Sequence, residues 1–370
     1  MECLSVLFSL ILLTAHATLP SDFPPPILPS AASKSREARI VTVRAAGGQY
    51  SSWLSMLQGE FPGGVLQHDL EIRFEGGREW NTQGSSGGRA LGHWTDNDGA
   101  AWHTTDWNNH QVTLTTDPAD LPEPATLLAK IIGYTYAPEK NTHGRLKVKN
   151  LKYGGHESCG AVLGMPVWDG NFRHGIRVEI DNCLIADIQK PGESATPFLG
   201  SEAFADSGCP NTMTHCTVAL TWKGAEEDIV LNLKTPDQYG AFKFRNNLIL
   251  CYLHGDRKVV IESDKTDNNG NTFYNYGPGK LSLAFIGGGG GKDNIVGQNP
   301  NLQSHDFIRA CDESPELILR RNAALTSKSL PCLKNGSDLL PADITGAERR
   351  KGAASDRGAY KYGAGSPVYQ

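Results

Sequence analysis

The chain has 370 residues, including 41 glycines and 21 prolines, and carries a net charge of −5. That composition implies many turns and little continuous helix. The negative balance excludes nucleic-acid binding driven by phosphate neutralisation, and the length allows either two domains or one elongated repeat fold.

In chain order, the apolar run from Leu4 to Leu13 and the small-x-small pattern Ala15-His16-Ala17 predict a signal peptide over residues 1–17. No Lys or Arg precedes the run, and a buried N-terminal helix is the alternative. The run is too short for a transmembrane span, and no other segment could form one. A secreted or cell-surface protein is the expectation. Residues 18–39, rich in Pro, Ser and Ala, read as an exposed linker.

The stretch "GHWTDNDGAAWHTTDWNNH" at 92–110 holds three Trp, three His and three Asp. The faces of Trp94, Trp102 and Trp107 suit stacking on sugar rings. Asp96 and Asp98, just before Gly99, could supply oxygens to calcium. The competing reading is a structural turn. Two apparent motifs fail on context. "GSSGG" at 84–88 matches a nucleophile elbow around Ser86, but its surroundings read as a loop rather than a strand-to-helix turn. "GGGGGKD" at 287–293 has Asp293 where a phosphate loop needs Ser or Thr.

Residues 145–293 contain a concealed repeat. "RLKVKNL" (145–151) aligns with "RVEIDNCL" (177–184), then with "TMTHCTV" (212–218) and "FKFRNNLI" (242–249), with echoes at Asn271 and Asp293. The steps are 32, 33, 31, 25 and 22 residues. Each unit is a short strand of period two, a polar corner at the Asn position, and a second apolar strand. One such unit cannot bury its apolar face. Copies stacked about 4.8 Å apart make a continuous narrow core, which predicts an all-β parallel β-helix solenoid over residues 40–340. The register stacks Lys147 on Glu179 and Lys149 on Asp181, pairs that disfavour slipped alignments. Asn150, Asn182 and Asn246 are expected to stack their amides at the corner. Cys183 and Cys216 fall one rung apart, near enough to form a disulfide in principle; free thiols filling the core are the favoured reading.

The C-terminal stretch "DITGAERRKGAASDRGAYKY" (343–362) follows the pattern D-x2-G-x2-R-x2-G-x3-D-x-G-A-Y-x-Y, carried by Asp343, Gly346, Arg349, Gly352, Asp356, Gly358, Ala359, Tyr360 and Tyr362. It resembles the closing segment of secreted bacterial proteins with a right-handed parallel β-helix of the pectate-lyase-like kind. "NPNLQSHDFIRACDESPEL" resembles their last coil, and "RIVTVRAAGGQYSSWLSMLQGE" their first strand and short N-terminal capping helix. Lys361 and Arg357 depart from the acidic and Ile residues usual there. The resemblance implies a C-terminal capping segment and tail over residues 341–370.

Proteins of that wider group often act on polysaccharides, so a polysaccharide or cell-surface glycan is the expected partner. No polygalacturonase or lyase signature occurs. If the lateral face is catalytic, the candidates are Arg177, Glu179, Asp181 and Lys243, expected near one column on three rungs. A glycan-binding or structural scaffold without turnover is the leading reading, with no cofactor assigned except calcium at Asp96 and Asp98. The alternatives are a polysaccharide lyase or glycoside hydrolase, and an oligomerising structural subunit of a surface or virion assembly.

Overall fold

A computed structural model describes residues 37–61, 66–81, 93–95, 102–104, 110–128, 143–154, 175–189, 212–222, 229–232, 243–253, 255–262, 267–286, 291–303, 323, 325, 327–329, 331–332, 340, 342–349 and 356–360. The expected signal peptide and nearly all of the linker lie outside these residues.

The described strands wind as successive coils. Coil 1 holds β1 (Arg39–Val43) and helix α1 (Trp53–Glu60). Coil 2 holds β2 (Leu70–Phe74) and β3 (Glu79–Asn81), followed by a separate ribbon, β4 (His93–Thr95) with β5 (Trp102–Thr104). Coils 3, 4 and 5 carry β6 (Gln111–Thr116) and β7 (Thr126–Leu128), β8 (His143–Lys149) and β9 (Lys152–Gly154), and β10 (Gly175–Asp181) and β11 (Leu184–Gln189). Coil 6 has β12 (Thr212–Thr214), β13 (Thr217–Trp222) and β14 (Ile229–Asn232); coil 7 has β15 (Lys243–Arg245), β16 (Leu248–Leu253) and β17 (Arg257–Glu262). Coil 8 has β18 (Asp267–Asn269), β19 (Thr272–Asn275) and β20 (Leu281–Ile286), and coil 9 has β21 (Ile295–Val296).

The first strand of each coil from 1 to 8 joins one eight-stranded sheet, β1-β2-β6-β8-β10-β12-β15-β18. The second joins another, β3-β7-β9-β11-β13-β16-β19-β21, and β14, β17 and β20 form a third. All pairings within these three sheets are parallel. This is the parallel β-helix solenoid that the repeats predict.

Two side-chain columns face each other inside it. The register stacks Val41, Ile72, Leu114, Val148, Ile180, Met213 and Phe244 in the first sheet. Trp80, Leu127, Tyr153, Ile185, Val218, Ile249 and Phe273 stack in the second. All are buried in one continuous core. Helix α1 lies in this core through Trp53, Met56 and Leu57, with the Trp53 ring 5.9 Å from that of Phe74. Ser52 and Ser55 satisfy its first turn as a reciprocal capping box.

The corner between the two sheets is left-handed on every coil from 4 to 9. Asn150, Asn182, His215 and Asn246 have φ of 53, 52, 52 and 57°, and Gly270 and Asp293 follow at 68 and 60°. Asn, Asp, His and Gly are the residues that tolerate this conformation best. Gly270, not Asn271, occupies the corner of coil 8, because Phe244 pairs with Asn268 and Arg245 with Asn269. The true steps are 32, 33, 31, 24 and 23 residues.

The amide stack is also displaced by one residue from its expected place. Cys216 N–H donates to Oδ1 of Asn247, Asn247 N–H to Oδ1 of Asn271, and Asn271 N–H to Oδ1 of Asn294, over 2.8–2.9 Å. The Asn247 and Asn271 amide groups donate in turn to the carbonyls of Met213 and Phe244. The corner asparagines supply conformation; the next residue inward supplies the ladder. Cys183 and Cys216 precede that ladder in the same position as buried free thiols, and Cys251 and Cys332 are likewise free and buried.

The described part of the C-terminal stretch makes its contacts along the side of the solenoid. It runs as a strap along the corner and over the outer face of the second sheet. Ala342 accepts from Asn182 of coil 5, Ala359 N–H donates to Thr217 of coil 6, Gly358 N–H donates to the Asn246 carbonyl of coil 7, and Arg357 reaches Asn271 and Thr272 of coil 8 and Asp293 of coil 9. Ile344, Ala359 and Tyr360, with Leu302, Ala323, Leu325 and Cys332, bury Leu184, Ala186, Ala219, Leu248 and Leu250 in a second apolar layer. The physical reason is visible in the strands. "LILC" of β16 is buried residue after residue, the pattern of a sheet covered on both faces.

Candidate functional site: the outer face of the first sheet

With the second sheet covered, the first sheet carries the polar lateral face. Its strands alternate: in β2, Leu70, Ile72 and Phe74 point inward while Glu71 and Arg73 are half-buried outside. The register builds two outer columns. One runs Glu71, Thr113, Lys147, Glu179, Thr212, Lys243; the other runs Arg73, Thr115, Lys149, Asp181, Thr214, Arg245. With Arg145 and Arg177 in a third column and Asp267 beyond Lys243, the register gives this face seven basic positions against Glu71, Glu179, Asp181 and Asp267. A chain that is acidic overall thus presents a basic flank.

The expected stacking of Lys147 on Glu179 and Lys149 on Asp181 is present in the register. The ion pairs are distributed differently. Lys147 Nζ lies 3.4 Å from both Glu179 Oε2 and Asp181 Oδ2, and Lys149 turns instead to Glu71 at 3.9 Å. Partial burial works against the Lys147 charge, but Asp181 and Glu179 outweigh it and raise the pKa above the usual lysine value. Lys147 is therefore held as a cation at neutral pH. Thr214 Oγ1 donates to the other oxygen of Asp181 at 2.5 Å.

Arg177, Glu179 and Asp181 all stand on β10, in three different columns of one coil, and Lys243 stands two coils away in the Glu179 column. They do not form one column on three rungs, because residues i and i+2 of a strand lie side by side along it rather than above one another. Glu179 and Asp181 have oxygens within 6.8 Å of each other, twice the Lys147 distance. Two carboxylates are the residue types of a glycosidase pair. The Lys147 ammonium, however, occupies the space between them that a water or glycosidic oxygen would need. Lys243 is exposed, with no ion pair among the described residues.

Trp94 pairs with His103 and Thr95 with Trp102 in the antiparallel β4–β5 ribbon. Trp107, Asp96 and Asp98 lie outside the described residues. No group of three or more His, Cys, Asp or Glu side chains gathers as a cation site among the described residues.

Sequence reasoning missed three buried polar groups. Arg349, 2% exposed, donates to the carbonyls of Ala342, Asp356, Gly358 and Ala359 and to Asn182 Oδ1. Burial pulls its pKa down to about 10, with Asp343 and Asp356 opposing. Lys152 lies on the second sheet at 4% exposure, and burial pulls it down to about 8 against the pull of Glu79 and Glu123. His215 fills an Asn corner. Its place in the repeat marked it, since the other corners of coils 4 to 7 carry Asn.

No protein-family model, no curated protein and no solved structure matches the chain.

Proposed function

We propose that the chain is a β-helix scaffold that holds an extended glycan, preferably an acidic one, along the outer face of its first sheet without cleaving it. The observation that carries this reading is the asymmetry between the outer faces of the first and second sheets. One is sealed by the strap; the other is a flat polar array with a surplus of three basic side chains among the described residues. Carboxylate-bearing or sulfated sugars are the chemistry that such a flank attracts. Lys147 wedged between Glu179 and Asp181 supports binding over turnover. The resemblance of the closing segment to secreted bacterial right-handed β-helix proteins supports an extracellular or cell-surface setting.

The test is retention on a panel of acidic and neutral polysaccharides, with reducing-end release and unsaturated-product absorbance followed in the same samples. Retention without product is expected. Product from any polysaccharide overturns the binding reading and favours a second one, a lyase or hydrolase working on the same face. The specific observation behind that second reading is that the Glu179 and Asp181 carboxylates both stand on this face beside one lysine.

A further inference from the structure

Resting on the binding reading above, we propose that the acidic glycan is held at two points, Arg145 on coil 4 and Lys243 on coil 7, so that the face selects chains whose acidic groups lie about 16 Å apart. The other described basic side chains of this face are committed or half-buried. Arg73 lies 2.6 Å from Glu71, Lys149 lies 3.9 Å from Glu71, and Lys147 lies 3.4 Å from both Glu179 and Asp181. All three are half-buried, as is Arg245. Arg145 and Lys243 are exposed, and neither enters an ion pair among the described residues. A cation already facing a protein carboxylate gains little from a second anion, whereas an exposed one keeps its charge for a ligand.

The register sets the distance between the two points. Lys147 pairs with Glu179, Glu179 with Thr212 and Thr212 with Lys243, which makes three coil steps along one column. Arg145 precedes Lys147 by two residues on the same strand. With about 4.8 Å per coil and about 3.3 Å per residue, the two α-carbons stand about 16 Å apart. The ground between them adds no attraction for an anion. Lys147, Glu179 and Asp181 together leave one negative charge, and Thr212 on coil 6 offers only a hydroxyl for a sugar. Beyond Lys243 the same column continues to Asp267 on coil 8, an acidic position where an anionic chain gains nothing by running on. The hold is therefore confined to coils 4 to 7.

The experiment is calorimetric titration of the full chain, at low salt, with oligouronates of increasing length that carry one carboxylate per sugar. Affinity is expected to step up by about three- to fivefold at the length that first spans both side chains. Arg145→Gln and Lys243→Gln are each expected to remove that step while leaving the shortest oligomers nearly unchanged, because a short oligomer uses one point at a time. Arg145→Lys, which keeps the charge, retains the step. Lys280→Gln, at an exposed lysine between β19 and β20 and outside the first sheet, changes nothing at any length. Affinity that climbs without a step, single variants that weaken short and long oligomers alike, or a Lys280→Gln variant as weak as the other two overturns the two-point hold while the binding reading stands. A parent chain that binds no acidic oligosaccharide overturns both.

Discussion

Arg349 donates through Nη2 to the Oδ1 of Asn182, 3.1 Å away in space and 167 residues earlier in the chain. The bond ties the strap to a corner residue whose left-handed backbone turns its side chain outward. Replacing Arg349 with Lys keeps a charge but loses the planar fork that reaches several carbonyls at once. Arg349→Lys and Arg349→Ala are each expected to cost about 3 kcal/mol, because strap carbonyls buried under the guanidinium lose their donors. Urea midpoints within a few tenths molar of the parent would contradict this.

Lys152 gives a pH signature. The folded chain holds it at about 8, against an ordinary value of 10.5. The unfolded chain binds that proton more tightly, so stability rises with pH from about 8 to 10.5. Lys152→Met is expected to remove that rise and to stabilise the protein at pH 7 by about 1–3 kcal/mol. Denaturation at pH 7 and at high pH checks both halves, and a less stable variant at pH 7 sinks the argument.

Asn247→Ala breaks the amide ladder in the middle. It leaves the Cys216 N–H and the Met213 carbonyl without their partner, at a cost of about 2–3 kcal/mol. Asn247→Asp keeps the acceptor and loses the donor, and should fall between the two in thermal melting. Equal melting temperatures for parent and Asn247→Ala would refute the ladder as a stabilising device.

Gly358 sits at φ 86°, and a Cβ there would meet Thr217 Oγ1 at 2.8 Å and Leu248 Cβ at 3.1 Å. Gly358→Ala is expected to lift the strap and speed proteolysis after residue 340, at a cost of about 1–3 kcal/mol. A protease pattern unchanged from the parent would show that the strap tolerates the extra carbon.

Lys147 separates stability from binding. Its side chain is 30% exposed, so Lys147→Met should change stability by less than about 1 kcal/mol. Retention on acidic glycans should nevertheless weaken, while retention on neutral ones does not. Weakening on both alike would remove charge from the account of binding.

Much of this architecture is written in local pattern. Alternation such as Leu146-Lys147-Val148-Lys149 marks a sheet with one wet face, and the Asn150, Asn182, Asn246 spacing marks the corner. The one-residue error at coil 8 arises because Gly270 can take a left-handed corner without a polar side chain, while Asn271 next to it looks like the missing Asn. The course of the strap is not legible in the same way. Its motif shows glycines and an arginine, but the partners of Arg349 and Arg357 lie up to 167 residues away and are mostly backbone carbonyls, which no side-chain pattern records. The uninterrupted apolar run of β16 was the available clue that something covers the second sheet.

A stack of coils has no intrinsic length, since each coil needs only its neighbours and one more or one fewer breaks no local rule. Here the strap meets coil 5 at Asn182, coil 6 at Thr217, coil 7 at Asn246, coil 8 at Asn271 and coil 9 at Asp293. It acts as a ruler laid against the pile. A duplicated or deleted coil between residues 182 and 293 would put the graduations beyond it out of step, so in this chain the strap fixes the number of coils beneath it.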